Sequence, residues 1–217
     1  MKFAIFALSL AMSSPLAAEG FTVTLAGKVL GEVRYTVQSG TATLRSTLDS
    51  TPLGVFNGTF MGTSTGLITG QFSSESRSSR KQRAVSVQIE DSRATGVKIT
   101  PENEITDLSD VSRVPSGVMD PVRVFGTMLQ ANGCPPAMQM YDGRRVSVFQ
   151  PGGASRSGDI LTCEMRYGVA RGPGHLSPLG VSSAAINLSY STTGSSQILQ
   201  ALQISSGLFS IVLTRNE

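Results

Sequence analysis

Residues 21–26 read FTVTLA, in which apolar side chains alternate with small or polar ones at every position. Successive side chains of a β-strand point to opposite faces, so Phe21, Val23 and Leu25 lie on one face of the predicted strand. The same period of two returns at residues 33–37 and 85–89. Each of these strands is therefore expected to bury one face and to expose the other.

Composition favours β structure over helices along the whole chain. The 217 residues include 23 Gly, only 15% of them are charged, and Ser and Thr are abundant. Such residues suit strands and tight turns. The formal net charge of +3 at pH 7 is too small to indicate a nucleic-acid partner, so none is predicted.

Strand patterns continue to the end of the chain. Residues 71–90 are predicted to form a long hairpin with its tip at Ser76–Arg83, and Pro101–Pro115 is predicted to be a loop. Asp142-Gly143 predicts a hairpin turn between two later strands. The second half of the chain contains further strand patterns at Ala137–Tyr141, Arg145–Gln150, Ile160–Val169, Ala184–Ser191, Ile198–Ile204 and Leu208–Thr214.

One helix is predicted between the two groups of strands. Asp120 is a favourable N-cap, and Pro121 occupies the first helical position, where its missing N–H costs nothing. Val122 and Phe125 have the spacing of one helical face. Asn132-Gly133 is predicted to end the helix, since these residues tolerate a left-handed backbone.

The predicted fold class is mainly β: a single curved antiparallel sheet, or open half-barrel, covered by one α-helix. A twisted sheet of many strands must curl or close to hide its edges. A curled sheet with a helix across it leaves a concave apolar surface, which is a natural place for a ligand.

Residues 1–18 have the features of a signal peptide. Lys2 precedes the apolar run Phe3–Met12, which is too short to span a bilayer, and small residues end at Ala18. Cleavage is predicted after Ala18. Residues 19–217 are then a single β-rich domain without a transmembrane segment, and export to the periplasm is predicted.

Cys134 and Cys163 are the two cysteines of the chain. In an oxidising compartment they are predicted to form a disulfide, and the alternative is a pair of buried free thiols. Two thiols without further ligands make a poor zinc site, so neither a metal nor a cofactor is predicted.

Several motifs resemble those of one known family, domain-of-unknown-function family 3108, whose members are exported proteins of the bacterial envelope. The resemblance covers roughly residues 21–170. It is carried by LAGKVLG at 25–31, RKQR at 80–83, Asp120-Pro121, Cys134, YDGRR at 141–145, and Cys163. It implies an open, curved β half-barrel similar to periplasmic lipoprotein carriers and lipocalin-like proteins. It implies no known activity.

Ser64 lies in a motif that is typical of catalytic serines. Residues 62–66 match G-x-S-x-G around Ser64, and His175 follows downstream. An esterase needs this serine on a sharp turn from a strand to a helix, but no helix is predicted after Gly66. We therefore predict no catalytic residues and no enzyme activity, and we expect His175 to be an exposed loop residue.

Arginines after the Asp-Gly turn are the candidate ligand contacts. Arg144 and Arg145 are expected to start a strand and to point to opposite faces, one towards water and one towards the concave side. The planar guanidinium fits an anionic head group, although a structural ion pair is the alternative. Tyr141 is predicted to close the same region.

The basic run Arg77–Arg83 has two interpretations. It is expected to be a solvated hairpin tip, and the alternative is contact with anionic envelope lipid.

Two functional hypotheses follow from the sequence. The first is a non-catalytic envelope protein that binds a lipid or lipid-linked ligand, apolar or amphipathic, in its curved sheet. The alternative is a structural module of the envelope that binds another protein and has no ligand cavity.

Overall fold

A computed structural model describes residues 17–51, 57–66, 69–78, 81–175, 181–193 and 196–217. Within these ranges, fourteen strands form one sheet. They are β1 (Ala17–Leu25), β2 (Lys28–Gln38), β3 (Thr41–Leu48), β4 (Gly58–Thr65), β5 (Gly70–Ser78), β6 (Gln82–Glu90), β7 (Arg93–Thr100), β8 (Val118–Met119), β9 (Met138–Tyr141), β10 (Val146–Ser157), β11 (Ile160–Arg171), β12 (Ser183–Thr193), β13 (Ser196–Ser206) and β14 (Phe209–Arg215). Helix α1 spans Pro121–Leu129, and short 3-10 turns lie at Glu102–Glu104, Asp107–Ser109 and Val111–Arg113.

The sheet consists of two meanders that meet at the chain ends. Strands β1 to β7 follow one another in space, as do β8 to β14, and β1 pairs with β14 in the centre. All neighbours are antiparallel except β8 and β9, which are parallel and are connected through α1. The predicted fold class, a mainly β protein with one curved sheet and one helix, is confirmed.

Curvature brings the two edges of the sheet close together. Gly117 and Val118, at the start of β8, donate backbone hydrogen bonds of 2.8 and 3.1 Å to the Ser92 carbonyl in the β6–β7 turn. Val87 of β6 also shares a core cluster with Tyr141 of β9. The sheet is therefore nearly closed rather than open.

Helix α1 begins as predicted and ends earlier than predicted. The Asp120 carboxylate caps it by accepting hydrogen bonds from the backbone N–H groups of Val122 and Arg123, at 2.9 and 3.0 Å. The helix ends at Leu129, before the predicted stop at Asn132-Gly133. Gly133 does have a positive φ, but the Gln197 side chain of β13 hydrogen-bonds to both its N–H and its carbonyl. These tertiary hydrogen bonds hold Gly133 against β13, so the segment before it does not continue the helix.

The helix lies inside the curve of the sheet and packs on both meanders. Its Phe125 ring meets Phe21 edge-to-face at 6.0 Å between centroids. Gly126 faces Tyr35 so closely that a Cβ there would lie 2.5 Å from the tyrosine hydroxyl oxygen. The Tyr190 hydroxyl of β12 donates to the Met128 carbonyl at 2.8 Å.

Two strand boundaries differ from the prediction. Strand β10 runs to Ser157, although it was expected to end at Gln150. A β-bulge between Pro151 and Ala154 accommodates residues that cannot pair in a regular ladder, so the strand continues beyond them. The β5–β6 tip is also shorter than Ser76–Arg83, since Ser76 pairs with Arg83 in the ladder.

The predicted disulfide is confirmed. Cys134 and Cys163 are bonded, with their Cα atoms 5.5 Å apart. The bond ties the segment after α1 to β11.

The predicted signal peptide lies outside the described residues except for its last two. Ala17 and Ala18 belong to β1, where Ala18 is opposite Thr36 of β2. The predicted cleavage site after Ala18 therefore falls within this strand. In the described part of the chain, no helix has the length and hydrophobicity that crossing a membrane requires.

Candidate ligand-binding site

One end of the curved sheet stays open while α1 fills the other. Hydrogen bonds from the Arg123 side chain to Ser64 and to the Thr65 carbonyl fasten the start of the helix to the end of β4. At the opposite end of the strands, the registers Leu48↔Gly58 and Gly58↔Ser78 align a second set of turns. We call this second end the open end.

An apolar cavity of about 380 Å³ lies among the strands of the second meander and β1. Its walls are almost entirely hydrocarbon and aromatic. The lining residues are Leu25, Met140, Phe149, Tyr167, His175, Val181, Ala184, Ile186, Ile204, Ser206, Phe209 and Ile211.

A second, basic cavity of about 610 Å³ adjoins the first, and His175 and Ile211 line both. Its carboxylate is that of Glu104. Its cationic residues come from the β5–β6 hairpin and from the turn before β10, namely Arg77, Lys81, Arg83, Arg144 and Arg145.

Glu104 forms ion pairs with three of these five cations. Its carboxylate binds the Lys81 ammonium at 2.9 Å, the Arg83 Nε at 3.1 Å and the Arg144 Nη2 at 3.0 Å. Burial alone would raise the pKa of Glu104, but these three cations outweigh burial and hold the pKa below its usual value. Lys81 and Arg83 are therefore ion-paired. Lys81 is still largely exposed, whereas Arg83 is mostly buried, so the expectation of a solvated tip is wrong for Arg83. Arg80 lies outside the described residues.

Glu104 forms no ion pair with Arg77, which is exposed, or with Arg145, which is buried. The Arg145 side chain is only 6% exposed, and its Nε lies 3.0 Å from the Asp142 carboxylate. The contact with Asp142 is an ion pair without hydrogen-bond geometry. The buried Nε and Nη1 atoms of Arg145 therefore form no hydrogen bond with any described residue. A buried guanidinium whose donors form no hydrogen bond is costly.

The turn before β10 explains where both arginines point. One Asp142 carboxylate oxygen accepts the backbone N–H groups of Arg144 and Arg145, at 3.0 and 2.9 Å. Both residues thus belong to the turn, and β10 begins only at Val146. The prediction that they point to opposite faces is wrong, since both line the basic cavity.

Tyr141 lies beside the Asp142-Gly143 turn, as predicted for this region, but outside both cavities. It is fully buried, and its hydroxyl lies 2.5 Å from the Leu108 carbonyl and 3.1 Å from the Gly143 carbonyl. Burial raises the pKa of this hydroxyl well above its usual range. Tyr141 lines neither cavity, so it holds the loop after β7 against the Asp142 turn.

A hydrogen-bonded chain that the sequence did not reveal ends at His175, which lines both cavities. The Tyr167 hydroxyl is bonded to Ser147, at 2.7 Å, and to Nε2 of His175. Burial, together with the charge of Arg145, lowers the pKa of His175 to about 4. The imidazole is therefore neutral at pH 7. The expectation of an exposed loop histidine is wrong, because this side chain is half-buried.

Ser64 belongs to the other end of the molecule. It is buried in β4, donates to the Asp120 carboxylate at 2.7 Å and accepts from Arg123 at 3.1 Å. His175 instead bonds to Tyr167. The structure therefore does not join Ser64 and His175 in one hydrogen-bonded chain.

Comparisons with known proteins give only weak likeness to a solved structure. No family model and no curated protein matches the chain, so the resemblance to family 3108 stays a prediction. The chain is similar to the crystal structure of the Mycobacterium tuberculosis lipoprotein LppX, with a TM-score of 0.30 and 14% sequence identity. The similarity covers 93% of this chain and 86% of that chain. A TM-score this low carries no argument about function.

Proposed function

We propose that this chain is a non-catalytic, exported envelope protein that binds a single-chain anionic amphiphile. The hydrocarbon chain occupies the apolar cavity, and the anionic head lies in the basic cavity at Arg145. The observation that carries this proposal is the junction of the two cavities at His175 and Ile211. An apolar chamber next to a basic one matches the two parts of an amphiphile.

The apolar cavity suits one hydrocarbon chain. Ligand cavities in proteins span about 300–1,000 Å³, and this cavity, at about 380 Å³, is at the small end of that range. The polar groups on its wall are largely engaged already, since Tyr167 and His175 bond to each other. A hydrocarbon chain can therefore enter the cavity without desolvating polar groups that lack a hydrogen-bond partner.

The basic cavity favours one anion at one position. Lys81, Arg83 and Arg144 share the Glu104 carboxylate, whereas Arg145 pairs with Asp142 and keeps its buried Nε and Nη1 without a hydrogen bond to a described residue. A carboxylate or phosphate fits the flat guanidinium through two parallel hydrogen bonds.

Export and the absence of catalysis are parts of the same proposal. The Cys134–Cys163 disulfide supports an oxidising compartment. Binding is proposed rather than catalysis because Ser64 is engaged by the helix cap and His175 by Tyr167. The two cavities support this proposal over the alternative of a structural module without one.

Filling the apolar cavity is expected to abolish binding. Ala184 lines this cavity, whereas the next residue, Ala185, is exposed on the other face of β12. In a displacement assay with a fluorescent fatty acid, Ala184→Phe is expected to weaken palmitate binding at least tenfold. Ala185→Phe is the matched control and should bind palmitate like the wild type. Equal palmitate affinities for both variants would contradict the proposal.

Removing the Arg145 guanidinium is expected to affect charged ligands selectively. A hydrogen bond to a charged group is worth about 1.5–3 kcal/mol. Arg145→Met should therefore weaken palmitate binding about 10- to 100-fold while leaving hexadecanol, its neutral analogue, unchanged. Arg77→Met removes a cation of the same cavity and should have a much smaller effect. If Arg145→Met weakens both ligands equally, Arg145 does not bind the head group.

A further inference from the structure

The β13–β14 hairpin ends in an apolar tip that the fold does not require. Ser206 pairs with Phe209, which leaves Gly207 and Leu208 as a two-residue turn, with a positive φ at Gly207. The Leu208 side chain is fully exposed. This turn needs Gly at its first position and is usually followed by a polar residue, so hairpin geometry gives no reason for leucine.

The neighbouring turn adds a cation and another apolar side chain. Leu25 of β1 is opposite Ile211 of β14, so the β1–β2 turn lies beside the Leu208 tip on the open end. Val29, the second residue of β2 after this turn, is 56% exposed. Residues 25–29 and 205–210 are all described, and their one charged residue is Lys28, which forms no salt bridge with any described residue.

The exposed tip is continuous with the apolar cavity. Phe209 is 54% exposed and also lines that cavity, together with Leu25 and Ile211. An apolar path therefore leads from the outside of the protein to the chamber proposed to hold the hydrocarbon chain.

We propose that these two turns dock on an anionic phospholipid bilayer, with Leu208 and Phe209 entering its acyl region and Lys28 meeting the head groups. Exposed leucine and aromatic side chains next to a lysine are the chemistry of membrane-interface binding. A stable protein interface buries about 800 Å² on each partner, whereas this surface consists of two short turns with three exposed apolar side chains, Val29, Leu208 and Phe209. This inference rests on the proposed function, because the bilayer would supply or receive the amphiphile.

Tryptophan fluorescence tests the docking directly, because the chain contains no Trp. Leu208→Trp is expected to shift its emission to shorter wavelength on phosphatidylglycerol vesicles, and brominated lipids should quench it. Asp159→Trp is the matched control: Asp159 follows Gly158, which has the same φ of 56° as Gly207, in the β10–β11 turn at the opposite end. It should show neither effect.

Three outcomes would overturn the inference. They are no shift at position 208, equal shifts at positions 208 and 159, or a shift at 208 without vesicles that grows with protein concentration and so reports self-association. Leu208 lines neither cavity, so Leu208→Asn should lower vesicle flotation several-fold and leave palmitate affinity unchanged. A wild-type protein that binds palmitate but does not float with vesicles refutes the docking surface alone, whereas a wild-type protein that floats with vesicles but does not bind palmitate refutes the proposed function.

Discussion

Replacing Cys134 and Cys163 together with alanine is expected to lower the free energy of unfolding by about 3–4 kcal/mol. The bridge joins residues 29 positions apart, and the chain-entropy model assigns a loop of this size about that much stabilisation. It also anchors the irregular segment after α1 to a strand of the core. Without the bridge, that segment would still be held by other tertiary contacts such as the Gln197 hydrogen bonds to Gly133.

Urea unfolding with and without reductant measures this effect. Reductant should lower the unfolding midpoint of the wild type to near that of the double alanine variant, and it should not change the variant. Alkylation followed by intact-mass measurement verifies that both thiols have been freed. An unchanged midpoint for the fully reduced wild type would contradict a stabilising role for the bridge.

The strands and the start of the helix were predictable because their signals are local. The alternation in FTVTLA reports one-sided burial, and Phe21 and Val23 are indeed buried in the core. The Asp120 cap needs only residues within one helical turn. The helix end was not predictable in the same way, since Gly133 is held by Gln197, 64 positions later.

The binding site was predictable only in part. The Asp-Gly turn led to Arg144 and Arg145, but the same reasoning selected Tyr141, which faces the filled part of the interior. Alternation shows which side chains point inwards, and it does not distinguish a packed interior from an empty one. Tyr167 lies on the inward face of β11 and could have been found by this pattern. His175 reaches the site from a loop, and no local pattern marks it.

Glu104 shows why the charged part of the site was not found. Its partners Lys81, Arg83 and Arg144 are 21 to 40 positions away in the chain. They meet only because the sheet curls until the loop after β7 faces the turn before β10. The acidic loop and the basic hairpin were each recognised, but no sequence pattern predicted that they would bind each other.

Replacing Glu104 with glutamine is therefore expected to destabilise the fold by about 3 kcal/mol. Breaking a buried ion pair costs about 3–5 kcal/mol because the remaining charge is left uncompensated. The lower value applies here, since the Lys81 side chain is largely exposed and Arg83 is partly exposed. Glu102→Gln changes an exposed carboxylate of the same 3-10 turn and should leave stability nearly unchanged.

The difference in the free energy of unfolding between the wild type and Glu104→Gln should also depend on pH. Because the folded pKa of Glu104 lies below its usual value, its contribution is fully present above the unfolded pKa of about 4.3. It is lost as the pH falls through the lowered folded pKa. Urea unfolding at pH 7, 4 and 3 should therefore show a difference that is constant at the higher pH and shrinks in acid. A difference that stays the same at pH 3 would mean that the charge of Glu104 does not hold Lys81, Arg83 and Arg144. Arg145 would then not be singled out as the cation left for a ligand.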